Sequence, residues 1–166
     1  PRRERPGGGV DVLELIVYGN PASQGSLRAV GRKGHTRLVS DSRRTAPWRA
    51  LVVAQARARM GEGDRPWEHL EGALRVRLHF TMPAPKRMPP GRVRPEVKPE
   101  LDKLARAILD ALTIAGVWRD DAQVVSLRAD EWYPGPPPAL DAPGVRVLVE
   151  PAPPPALPAE HERSLR

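Results

Sequence analysis

Proline is the residue that most limits what this chain can fold into. Of 166 residues 21 are proline, bunched between Met82 and Pro99 and again after Tyr133. Proline fixes φ and donates no backbone hydrogen bond, so neither stretch can be the interior of a helix or a central strand. Regular structure is thereby confined to the intervals between them. The length predicts about one domain, large enough to bury a core.

Within those intervals the apolar periodicity is readable. From Val10 to Tyr18 the chain has strand length and β-branched content, with Leu13, Leu15 and Val17 on one face and Val12, Glu14 and Ile16 on the other, apolar enough to be covered on both sides. Turn residues from Gly19 to Ser26 lead into an irregular basic hairpin ending near Ser40. Ser42 or Thr45 can cap a helix to Met60, and Gly61 can end it. Ala73 to Met82 alternates as a second strand, with Leu74, Val76, Leu78 and Phe80 facing the core. Leu101, Leu104, Ala105, Ile108, Leu112 and Ala115 recur at helical spacing up to Gly116. Two further strands, from Ala122 to Tyr133 and from Val145 to Glu150, can pair as a hairpin.

This order predicts the α/β class, of the α+β type: a mixed sheet with two main helices packed on it. The divisions are a flexible basic arm over 1–9, a folded domain over 10–150 and a proline-rich tail over 151–166. Residues 83–99 form a mobile basic loop inside the domain, carrying six prolines, Lys86, Arg87, Arg92, Arg94 and Lys98 against one acid, Glu96. The tail has polyproline character and could dock an aromatic groove.

Composition narrows the chemistry. With no cysteine, disulfides, thiolate metal sites and a cysteine nucleophile are excluded. His35, His69, His79 and His161 have no ligand spacing. No apolar run is long enough to span a bilayer, and the start has no signal-peptide pattern, so a soluble, non-secreted chain without a membrane partner is expected. Nor is there a phosphate-binding loop or dinucleotide fingerprint, so no small-molecule cofactor is expected. A formal charge of +7, from 27 basic against 20 acidic residues, favours a polyanionic partner, nucleic acid above all. Arg28, Arg32 and Lys33 in the hairpin, the loop cations Lys86, Arg87, Arg92, Arg94 and Lys98, and Lys103 are the candidate phosphate contacts.

Amid this basic surface, four carboxylates flank one element. Glu100 and Asp102 enter the second helix, and Asp120 and Asp121 follow it. Carboxylates without histidine or cysteine make a hard-ligand set suited to Mg²⁺ or Mn²⁺. Arg106, one turn beyond Asp102, can orient it or meet charge on a phosphate. A helix from Asp102 to Ala115 is about 20 Å long. Asp121 therefore reaches Asp102 only if residues 117–120 turn back along the helix or a second subunit supplies it. Plainer roles compete: Asp102 as an N-cap, Asp102 and Arg106 as a surface ion pair, Asp120 and Asp121 as a turn, and Trp118 as packing against the sheet.

The stretch from Lys98 to Leu112, followed by Ala115 to Val125, resembles the RusA family of Holliday-junction resolvases. That family's pattern is Asp-x-Asp-Asn-Leu-x-Lys, then Asp-Ala-Leu, then Asp-Asp-x-Gln-Val. Residues 19–26 and the helix ending at Met60 are also similar to its N-terminal half. The resemblance implies a cytoplasmic homodimer, bacterial or phage-encoded, that binds branched DNA and makes paired Mg²⁺-dependent nicks in recombination and repair. It places catalytic roles on Glu100, Asp102, Asp121 and Arg106, metal ligation on the three acids, and a supporting role on Asp120. Glu100 stands where the family has aspartate, Lys103 where it has asparagine, and Arg106 where it has lysine. Independently of the resemblance, two matched cuts in a two-fold symmetric junction call for two identical sites, which a C2 dimer supplies. A non-catalytic nucleic-acid-binding protein is the competing expectation.

Overall fold

The computed structural model describes residues 12–23, 27–30, 37–40, 44–62 and 66–154. The elements in chain order are β1 (Leu13–Tyr18), β2 (Leu27–Val30), β3 (Arg37–Ser40), α1 (Thr45–Met60), β4 (Leu74–Thr81), α2 (Leu101–Ala115), a 3-10 turn (Asp121–Gln123), β5 (Val124–Trp132) and β6 (Gly144–Pro151). Strands β2 and β3 form a separate antiparallel pair. The arm over 1–9 and most of the tail lie outside the described residues.

The main sheet has four strands in the order β1-β6-β4-β5, with β4 and β5 parallel and the other pairs antiparallel. Mixed sheet and two helices give the α+β class. The expected pairing of the last two strands does not occur. Strand β6 instead lies between β1 and β4, because Val145, Val147 and Val149 are fully buried and a strand so apolar belongs at the centre. Strand β5, with Val125 and Leu127 exposed, takes an edge beside β4.

Both helices pack against one another and against the sheet. Trp48, Val52 and Ala56 of α1 and Leu104, Ile108 and Leu112 of α2 meet Leu13, Leu15 and Val17 of β1 and Leu74, Val76, Leu78 and Phe80 of β4 in one core. Strand β1 is covered on this side alone; Val12, Glu14, Ile16 and Tyr18 stay exposed, since among the described residues the opposite sheet face carries no helix. On that open face Arg75 and Arg77 of β4 both donate to Glu150 of β6, at 2.8 and 2.7 Å. Among the described residues no helix is long and apolar enough to cross a membrane.

Helix ends differ from their expected caps. Arg44 precedes α1 without a side-chain cap, and Thr45, buried just inside, donates its hydroxyl to the Ser23 carbonyl. At α2 the N-cap is Glu100, extended at φ −69° and ψ 139°, so Asp102 lies within the first turn and caps nothing.

Candidate active site

Strand β4, the loop 82–100, α2 and β5 form one βαβ unit, and its loops carry the candidate acids. At the N-terminus of α2, Glu100 sits 3.4 Å from Lys103 and 3.9 Å from Lys98. Its own backbone N–H, with Lys103 and Lys98 beside it, holds its carboxyl below the ordinary range, so it remains an anion. Asp102 is exposed in the first turn, where the helix dipole favours an anion. Among the described residues it accepts no hydrogen bond and forms no ion pair with Arg106, which is itself exposed and without a partner there. The plain surface-bridge role is therefore not the one these two side chains play.

Beyond the other end of the helix, Gly116 adopts φ +88° and closes α2 through bonds to Leu112 and Thr113. Val117 and Trp118 then drop into the core, where the Trp118 indole donates to the Thr113 hydroxyl at 2.7 Å. The Val117 carbonyl accepts from the Leu70 N–H at 2.9 Å. These contacts hold residues 117–120 beside the C-terminal turns of α2. Asp120 caps the 3-10 turn, accepting from Ala122 N at 2.8 Å, in a reciprocal box with Gln123. Asp121, its neighbour, is exposed and bonded to nothing among the described residues. It lines an open pocket with Asp110, Asp120, Thr113, Ile114 and Arg49.

One chain thus places Glu100, Asp102 and Arg106 in the N-terminal half of α2 and Asp120 and Asp121 beside its C-terminal half, in the pocket with Asp110, Thr113 and Ile114. Among the described residues no three His, Cys, Asp or Glu side chains are grouped to hold a metal ion.

The basic footprint divides. Lys86, Arg87 and Lys98 are exposed in the loop and Arg92 is half-buried. Arg94 is engaged: its guanidinium lies 3.5 Å from the centroid of the Trp132 ring and donates to the Glu131 carbonyl at 3.2 Å. The expected mobile loop is pinned there to the end of β5. Lys103 faces Glu100. Arg28 lies on β2, whose side chains are not described, and Arg32 and Lys33 fall outside the described residues.

Glu131 was not among the sequence candidates. It lies on β5 opposite Phe80, at the end of the sheet from which the chain leaves β4 for α2. Its Oε1 is buried without a hydrogen-bond partner, and burial raises its pKa above the ordinary carboxyl value. Only its placement beside Ala129 on the core side of an alternating strand could have signalled this. A carboxyl with a raised folded pKa favours folding while protonated, and that contribution is lost as pH rises through the folded value. Glu131→Gln is therefore expected to raise the thermal midpoint at pH 8 by about 1 to 3 °C and to change it little at pH 4, as followed by circular dichroism.

The comparisons with known proteins agree with this arrangement of elements. Residues 19–149 match the family described as Endodeoxyribonuclease RusA. A relative from Bacillus subtilis (strain 168), the "Uncharacterized protein YqaN", is 29% identical over 152 residues, covering 84% of this chain and 96% of that protein. The match spans both helices, β4, β5 and all but the last two residues of β6, leaves out β1, and includes every candidate acid. This chain belongs to the RusA family of endodeoxyribonucleases.

Proposed function

We propose that this protein is a divalent-metal-dependent endonuclease that resolves four-way DNA junctions by paired nicks. It acts as a homodimer whose two sites each combine Glu100, Asp102 and Arg106 of one copy with Asp121 of the other. The observation that carries this reading is that Asp102, Arg106 and Asp121 are exposed and, among the described residues, unbonded, while their neighbours Glu100, Lys103 and Asp120 have local partners. Charged side chains in a family of nucleases, with no structural partner of their own, are available for substrate and metal.

A second copy is the route by which Asp121 would reach Asp102: ligands of one Mg²⁺ sit only about 2.1 Å from it, and among the described residues one chain gathers no such group. Apolar side chains near Asp121 give the second copy a surface. Ile114, in the same pocket, is 51% exposed, and Val125 and Leu127 on the following edge strand are 65% and 47% exposed.

The donor set fits a hard divalent cation: Asp102 with the partner's Asp121 would hold it, and Glu100 would complete the shell or orient water. Bound there, Mg²⁺ or Mn²⁺ would lower the pKa of water and neutralise charge developing on the phosphate. Arg106 contacts the scissile phosphate, while Lys86, Arg87, Arg92 and Lys98, with Arg28, Arg32 and Lys33, track the flanking strands. Water adds to phosphorus, one P–O ester bond breaks, and the departing oxygen leaves with a proton. Arg94, held by Trp132, fixes the loop that presents the other cations.

Incubation of the protein with a synthetic four-way junction tests the reading. In Mg²⁺ symmetric paired nicks are expected, and in EDTA a bound but uncut junction. Binding with no metal-dependent product would instead make the protein a non-catalytic junction binder.

A further inference from the structure

The arginines of α1 do not behave alike. Arg57 donates to the Ile114 carbonyl at the end of α2, at 3.1 Å. Arg59 donates to the Glu14 carbonyl and to Glu62, both at 3.1 Å. Arg49 makes no hydrogen bond or ion pair among the described residues, although it lines the pocket of Asp110, Asp120 and Asp121. Its position is fixed from beneath. Trp48, Val52 and Ala56 are buried at four-residue spacing and set the roll of α1, and Arg49 follows Trp48 about 100° further round the helix.

A guanidinium sharing a pocket with three carboxylates would ordinarily close onto one of them, and Arg49 has not come within 4 Å of any. We propose that Arg49 is the phosphate-binding residue of the Asp121 half of the site, its planar fork donating to the non-bridging oxygens of the scissile phosphodiester. This rests on the nuclease reading above. Three carboxylates by themselves repel a phosphodiester, so this half of the site needs a cation of its own to admit one. Arg106 supplies that charge beside Asp102, one turn before Asp110, and is not among the residues that line the Asp121 pocket. Each half of the composite site then brings one unpaired aspartate and one unpaired arginine.

The test first maps the nicks that the wild-type protein makes in a four-way junction with Mg²⁺. A junction is then built with an uncharged methylphosphonate at the mapped position. In EDTA, wild-type binding is expected to weaken several-fold on this junction relative to the unmodified one, whereas Arg49→Ala and Arg49→Gln lose most of that difference and keep only the part that Arg106 contributes. Nicking of the unmodified junction at saturation falls about 10²-fold in both variants. Arg49→Lys recovers part of it, and the melting temperatures are unchanged. Variants that nick at the wild-type rate, or that keep the full wild-type sensitivity to the methylphosphonate, overturn the assignment and leave the nuclease standing. Variants that lose nicking with a matching fall in melting temperature, and stay sensitive to the methylphosphonate, assign Arg49 to packing and also overturn it. A wild-type protein that makes no nick overturns the nuclease reading itself.

Discussion

Asp102→Asn is expected to lower junction nicking in Mg²⁺ by on the order of 10³-fold or more while leaving junction binding intact. Asparagine keeps the size and shape of the side chain, so α2 still begins at Leu101 and its buried face is untouched. The helix loses one favourable anion in its first turn, a cost of about 0.3–1 kcal/mol that a folded domain tolerates. The negative charge that would bind the cation is gone, because an amide is a far weaker ligand for Mg²⁺ than a carboxylate. Binding in EDTA should hold or tighten, since an anion has been removed from a surface that meets a polyanion. Single-turnover nicking and equilibrium binding, measured on the same junction, separate the two effects. Full cleavage by Asp102→Asn would remove Asp102 from the catalytic machinery.

How much of this was legible in the sequence depends on the kind of information each feature needs. Strands β1 and β4 were readable from alternation, and α2 from its three- and four-residue spacing, because a buried face imprints its period directly. The neighbours of β6 were not. Val145, Val147 and Val149 state that a strand has a buried face and leave open which strands flank it. The cap of α2 was displaced because aspartate is a strong capping residue in general, whereas the extended backbone here falls at Glu100.

Every acid of the candidate site was visible as a residue, and so was the helix length that separates them. The direction the chain takes after Gly116 was not. It follows from the burial of Val117 and Trp118, contacts between distant parts of the chain. The anchoring of Arg94 on Trp132 and the buried Oε1 of Glu131 were hidden for the same reason, since both depend on partners brought together only by the βαβ unit.

The account stands or falls on acids from two copies meeting in one site. In a two-fold dimer each Asp102 would face the partner's Asp121, so the two composite sites are identical by symmetry. Asp102→Asn and Asp121→Asn are each expected to be inactive alone. Mixed in equal amounts and equilibrated, half of the randomly assorted dimers carry one copy of each. Each such dimer holds one site lacking both aspartates and one with both intact.

The decisive measurement is nicking of a four-way junction by that mixture in Mg²⁺. Acids shared between copies predict recovery to about a quarter of the wild-type nicking rate, released as single nicks without paired resolution. A mixture no more active than either variant alone would show that each chain holds its own complete set, and would contradict the composite site.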